Sequence, residues 1–108
     1  MDLTKRKCKP CEKGGEPFDA ETIHTYLMDS PGWESLDDKK IHRKFKFDDF
    51  VKALSFVNQV GDIAEMEGHH PDIHIHYNEV ELELWTHTVK GLTENDFIMA
   101  AKISGLRM

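Results

Sequence analysis

The sequence predicts an α+β domain: a four-stranded antiparallel sheet with three helices on one face, in the order α-β-β-α-β-β-α. Three observations carry this. Residues 33–47 and 72–87 each alternate apolar and polar side chains about a central turn, the period of a half-buried hairpin. Residues 19–28, 49–66 and 93–104 instead space their apolar residues by three and four, the period of an amphipathic helix. The length, 108 residues, supports one core and hardly two. Helices on one face of an antiparallel sheet satisfy all three.

Residues 1–18 are polar and broken by Pro10, Gly14, Gly15 and Pro17, so they are expected to form a flexible arm ahead of a domain spanning 19–108. Asp19 offers an N-cap for a short helix carrying Ala20, Ile23, His24, Leu27 and Met28, and Ser30-Pro31-Gly32 ends it. Trp33–Leu36 and Ile41–Phe47 form the first hairpin, the second strand setting Ile41, Phe45 and Phe47 against His42, Lys44 and Lys46. Asp48 is the expected cap of a helix from Asp49 to about Met66. Its core stripe is Phe50, Leu54, Val57, Gly61 and Ala64, with Gly61 marking a close backbone approach and Gly68 closing the helix. Asp72–Tyr77 and Val80–His87, joined at Asn78-Glu79, form the second hairpin, with Ile73, Ile75, Tyr77, Val80, Leu82 and Leu84 on one face. Thr93-Glu94-Asn95-Asp96 resembles a capping box and starts a helix carrying Phe97, Ala100, Ala101 and Ile103, stopped by Gly105.

The net charge of −6 argues against direct binding to nucleic-acid phosphates. No apolar run approaches the ~20 residues of a membrane helix, and the N-terminus carries no secretory pattern, so a cytoplasmic protein is expected. Charge is unevenly placed. Residues 1–50 hold ten Lys/Arg against eleven Asp/Glu; residues 51–108 hold four against nine. The acidic half also holds five of the seven histidines. Imidazole titrates near pH 6.5 and binds metals readily, so this clustering points to proton chemistry or to a metal.

His69-His70-Pro71 sits between a helix end and a strand start, where Pro71 constrains the backbone and turns two imidazoles in different directions. A hairpin closed at 78–79 lays the end of its second strand beside the start of its first, bringing His87 toward this corner. Glu65 lies one helical turn before the pair. His74 and His76 share a strand face with Glu81, Glu83 and Trp85, and cross-strand His–Glu pairs account for them. Their spacing matches no standard zinc pattern, so no metal is expected there. Cys8-Lys9-Pro10-Cys11 is a lone CxxC without a second ligand pair nearby, leaving open a zinc shared between subunits.

The run Glu65-x3-His69-His70-Pro71-x5-Tyr77-x9-His87-x8-Asp96 resembles the signature of the pterin-4a-carbinolamine dehydratases. Leu84-Trp85-Thr86-His87, Gly91-Leu92-Thr93-Glu94-Asn95-Asp96-Phe97 and Pro31-Gly32-Trp33 extend the likeness over about residues 19–103, and the CxxC arm is similar to an extension on microbial members. The resemblance implies loss of water from a 4a-hydroxytetrahydropterin, giving a quinonoid dihydropterin in tetrahydrobiopterin recycling. It implies His69 and His87 as general acid and base, and His70 orienting the pterin with a share in proton transfer. It also implies Glu65 and Asp96 orienting the histidines, and Trp85, Thr86 and Thr88 bordering the ring. Gly68 stands where many members carry a polar side chain that would touch substrate. No cofactor or metal is required, and the partners implied are the small pterin and other copies of the chain, as a homodimer or homotetramer. Two other classes stay open. One is a non-catalytic dimerisation module of the transcription-cofactor type, with Val51, Phe56 and Ile63 as an off-stripe interface; the other is a histidine-rich metal binder.

Overall fold

The computed structural model describes residues 2–8 and 16–106. Its elements are α1 (Ala20–Met28), β1 (Glu34–Leu36), β2 (Lys40–Lys46), α2 (Phe50–Glu67), β3 (Asp72–His76), β4 (Glu79–Leu84) and α3 (Glu94–Ser104), preceded by a 3-10 turn at Leu3–Lys5. The sheet is antiparallel throughout, in the order β1-β2-β4-β3. The expected class and element order are those observed.

The strands' apolar face, built from Ile41, Phe45, Val80, Leu82 and Leu84, packs against Ile23 of α1, Ala53, Phe56 and Val60 of α2, and Phe97, Ile98 and Ile103 of α3. The other face is charged. His42 contacts Glu81 at 3.2 Å, and Lys40 and His74 contact Glu83 at 3.6 and 3.7 Å. His74 also stands directly opposite Glu81. The cross-strand pairing expected for His74 is present, and His42 from β2 extends it. Among the described residues no helix is long and apolar enough to cross a membrane.

Several local expectations are corrected. Asp49, not Asp48, caps α2 by accepting the Lys52 N–H at 2.9 Å; Asp48 pairs with the Lys52 ammonium at 2.8 Å. The buried face of α2 is Ala53, Phe56, Val60 and Ala64, whereas Phe50 is 44% and Leu54 37% exposed. This helix is apolar on more than one side, and two rows of residues satisfy the same spacing; the sheet takes the row bearing Phe56. Phe56 is therefore core and not an interface residue, while Val51 is well exposed. Gly61 faces open space, with nothing within 4 Å of where a Cβ would stand.

The second hairpin turns at Tyr77-Asn78, with Tyr77 at φ +52° and largely exposed instead of on the apolar face. β4 ends at Leu84, not His87. Beyond it Thr86 bridges Gly91 through two backbone hydrogen bonds of 2.8 and 3.3 Å, so residues 87–90 form a tight turn. Gly91 is required there: a Cβ would lie 2.6 Å from that of Pro17. Gly105 ends α3 in a right-handed conformation, not the left-handed one typical of glycine caps.

The described part of the N-terminal segment is docked. Leu3 is 3% exposed and belongs to the core, and Arg6 pairs with Glu94 at 2.7 Å, where the Tyr26 hydroxyl also donates at 2.8 Å. Cys11 lies outside the described residues.

Candidate functional site

A cleft of about 460 Å³ opens where the C-terminus of α2, the turn after β4 and the start of α3 meet. His69, His70 and His87 all line it, with Gly68, Trp85, Thr86, Thr88, Asn95, Glu67 and Cys8. The expected gathering of the three histidines is present in the fold, and its cause is local. Gly68 adopts a left-handed conformation (φ +65°) as the C-cap of α2, and the N–H groups of Gly68 and His69 both return to the Ala64 carbonyl. The chain then leaves the helix at Pro71 and enters β3, whose first residue, Asp72, pairs with Glu83 of β4. That register carries His87, four residues further on, to the same end of the sheet.

The two adjacent histidines have different partners. His69 Nε2 is 2.6 Å from Oδ1 of Asp96, a carboxylate with no exposed surface. The other oxygen of Asp96 accepts the Thr86 hydroxyl at 2.8 Å and the Thr93 N–H at 2.9 Å. The second of these bonds is half of the capping box that starts α3. A carboxylate only accepts, so His69 carries its proton on Nε2, which leaves Nδ1 as the ring nitrogen for exchange with a ligand. Asp96 thus stands behind His69 and fixes it. His70 Nε2 meets Glu65 Oε2 at 2.5 Å on the surface, where both side chains are more than half exposed. Glu65 does not line the cleft; its contact at this corner is with His70, which does.

His87 stacks on Trp85, with ring centroids 3.8 Å apart. The Trp85 indole N–H donates to Asp72 at 3.1 Å, and the Lys40 ammonium lies 5.1 Å over the ring. Thr86, at the base of the turn, and Thr88, within it, also border the cleft. The sequence reading missed Cys8, Glu67 and Asn95. Glu67 Oε1 accepts the Cys8 N–H at 2.8 Å, its Oε2 meets the Lys102 ammonium at 3.4 Å, and the Cys8 thiol donates to the Asn95 carbonyl at 3.6 Å. These partners hold the Glu67 carboxyl below its ordinary value of 4.5, chiefly through the Cys8 N–H. Burial, reinforced by the Glu67 and Asp96 carboxylates, pushes the Cys8 thiol up to about 12. No sequence signal joins residues 8 and 67 or 8 and 95, since nothing local pairs them. Among the described residues, no three His, Cys, Asp or Glu side chains are grouped as a metal ion requires.

Comparison with known proteins gives one consistent result. The sequence model of the family described as pterin 4 alpha carbinolamine dehydratase matches residues 16–106. A protein of Halorhodospira halophila, provisionally named a pterin-4-alpha-carbinolamine dehydratase, is 46% identical over 107 residues, covering 98% of both chains. The mitochondrial pterin-4-alpha-carbinolamine dehydratase 2 of Arabidopsis thaliana is 44% identical, over 99% of this chain and 60% of its own. A crystal structure from Brucella melitensis, titled a transcriptional coactivator/pterin dehydratase, superposes with a TM-score of 0.78 at 36% identity, over 82% of this chain and 96% of that one.

Proposed function

This chain belongs to the pterin-4a-carbinolamine dehydratase family, and from that premise we propose that it is a hydro-lyase dehydrating a 4a-hydroxytetrahydropterin to the quinonoid dihydropterin. The observation that supports this most is the cleft that holds three histidines, one of them fixed by the buried carboxylate of Asp96.

The chemistry asks for two proton transfers. The C4a–O bond breaks and the oxygen leaves as water with a proton from an imidazolium. The N5–H gives its proton to a neutral imidazole, and its electron pair closes the C4a–N5 double bond. His69 and His87 are assigned these two transfers, each typically worth ~10²–10⁴-fold. Asp96 holds the His69 tautomer, and Trp85 holds the His87 ring by stacking. His70, steadied by Glu65, orients the pterin and shares in proton transfer. Gly68 leaves room at the ring edge, Thr88 supplies a polar contact to it, and Thr86, whose hydroxyl is held by Asp96 and Thr93, borders the ring. In this reading the product returns to the tetrahydrobiopterin cycle, no cofactor takes part, and the chain works as a homo-oligomer. The exposed Phe50, Val51 and Leu54 on α2 favour such self-association.

The test follows the decay of freshly generated 4a-carbinolamine with the wild type and with His69→Ala and His87→Ala. Wild type is expected to accelerate decay, and each variant to lose roughly 10²–10⁴-fold of that acceleration. A wild-type rate equal to buffer overturns the activity; equal rates for all three proteins overturn the assignment of the histidines. Stoichiometric capture of another protein by a wild type without turnover would instead establish the non-catalytic dimerisation module.

A further inference from the structure

The N-terminal segment precedes residues 16–106, the span matched by the family's sequence model, yet it reaches the cleft. Cys8 lines it beside Asn95 and Glu67. The segment is held there at several points: Leu3 is buried in the core, Arg6 is clamped by Glu94, and the Cys8 N–H and thiol engage Glu67 and the Asn95 carbonyl. The Glu67 side chain is only 4% exposed, and both its oxygens are engaged, one by Cys8 and one by Lys102. This wall has therefore committed its polar groups internally. What it presents inward at Cys8 is a compact neutral thiol, and such a surface selects by shape and not by hydrogen bonding. The cleft, at about 460 Å³, is at the small end of ligand pockets, so one wall side chain takes up a meaningful share of it.

We propose that the docked N-terminal segment is a wall of the substrate site and that Cys8 is a specificity-determining residue, limiting the substituent that a bound pterin can carry. This rests on the pterin reading above. It assigns the histidine side of the cleft to the chemistry and the segment side to substrate size.

The experiment compares kcat/KM for two carbinolamines that differ only in the ring substituent, methyl against dihydroxypropyl, using wild type, Cys8→Ala, Cys8→Leu and Glu67→Gln. Cys8→Leu is expected to lower the dihydroxypropyl-to-methyl ratio about 10-fold or more, and Cys8→Ala to raise it. Glu67→Gln weakens the anchor of the segment and should move the ratio in the direction of Cys8→Ala. Rates that fall in parallel for both substrates, or a ratio that stays within about twofold in every variant, overturn the proposal. Fluorescence quenching by two stable dihydropterins with the same substituents separates this from the activity itself. Without wild-type turnover the hydro-lyase reading fails, and the ratio of their Kd values then decides the wall on its own by the same criteria.

Discussion

His69 and His70 are consecutive residues, each bound to one carboxylate through Nε2, yet one pair is sealed and the other stands in water. The His69 and Asp96 side chains are 12% and 0% exposed; those of His70 and Glu65 are 60% and 79%. Asp96 is also fixed from two further directions by Thr86 and Thr93, whereas Glu65 projects from the last turns of α2 with its carboxylate free to sample water. The same chemical pair thus has two physical meanings. In the buried pair, removing either partner strands polar groups that water cannot reach. In the exposed pair solvent replaces whichever partner is lost, and salt screens what remains. What separates a positioned imidazole from a surface one is the set of contacts behind its carboxylate.

The largest expected effect is that of Asp96→Ala. It leaves His69, the Thr86 hydroxyl and the Thr93 N–H without their shared acceptor, and should cost about 3–5 kcal/mol of stability in urea unfolding. Thr86→Val removes one bond to Asp96 and should cost about 1–2 kcal/mol by the same measurement. Glu65→Ala should change the unfolding free energy by less than ~1 kcal/mol, and 1 M salt should erase even that. If Glu65→Ala costs as much as Asp96→Ala, the contrast between the pairs is wrong.

Two smaller effects concern the segment beside the buried pair, both read in a Cys11→Ser background. At pH 9 the ordinary thiol, at 9.0, is half ionised, whereas Cys8, held near 12, stays protonated. Alkylation by iodoacetamide should therefore be on the order of 100-fold slower in the folded chain than in urea. Glu67 gives the acid counterpart. Its folded carboxyl lies below 4.5, so its contribution to docking is complete above pH 4.5 and is lost as pH falls through the lower folded value. The rate of Cys8 with dithiodipyridine, taken relative to that in urea at the same pH, should rise only below pH 4.5, and a rise beginning near pH 6 would assign the latch to another group.

How much of this was legible depends on how far apart the interacting residues lie. Caps at Asp19, Gly68 and Thr93 could be read because their chemistry is completed within a few positions. The meeting of His87 with His69 and His70 was legible because one hairpin register brings them together. The inward face of α2 was not, because the Phe50 row and the Phe56 row obey the same period and only the sheet decides between them. Asp96 was visible as a helix start, but its complete burial depends on how α3 sits in the core. Glu67 and Cys8 were invisible as a pair, since 59 residues separate them and neither carries a local pattern.

The left-handed turn at Gly68 has a consequence for how the gene can change. His69 and His70 differ in environment through their distance from the last helical turn, and that distance is counted from Ala64, whose carbonyl receives the final bonds of α2. A substitution between 64 and 71 alters one contact. A deletion of a single codon between 65 and 68 moves His70 into the place of His69, presents Pro71 where an imidazole should be, and leaves Asp96 facing the wrong residue. The segment should therefore accept changes of letter far more readily than changes of length, and its spacing is the quantity that inheritance has to preserve.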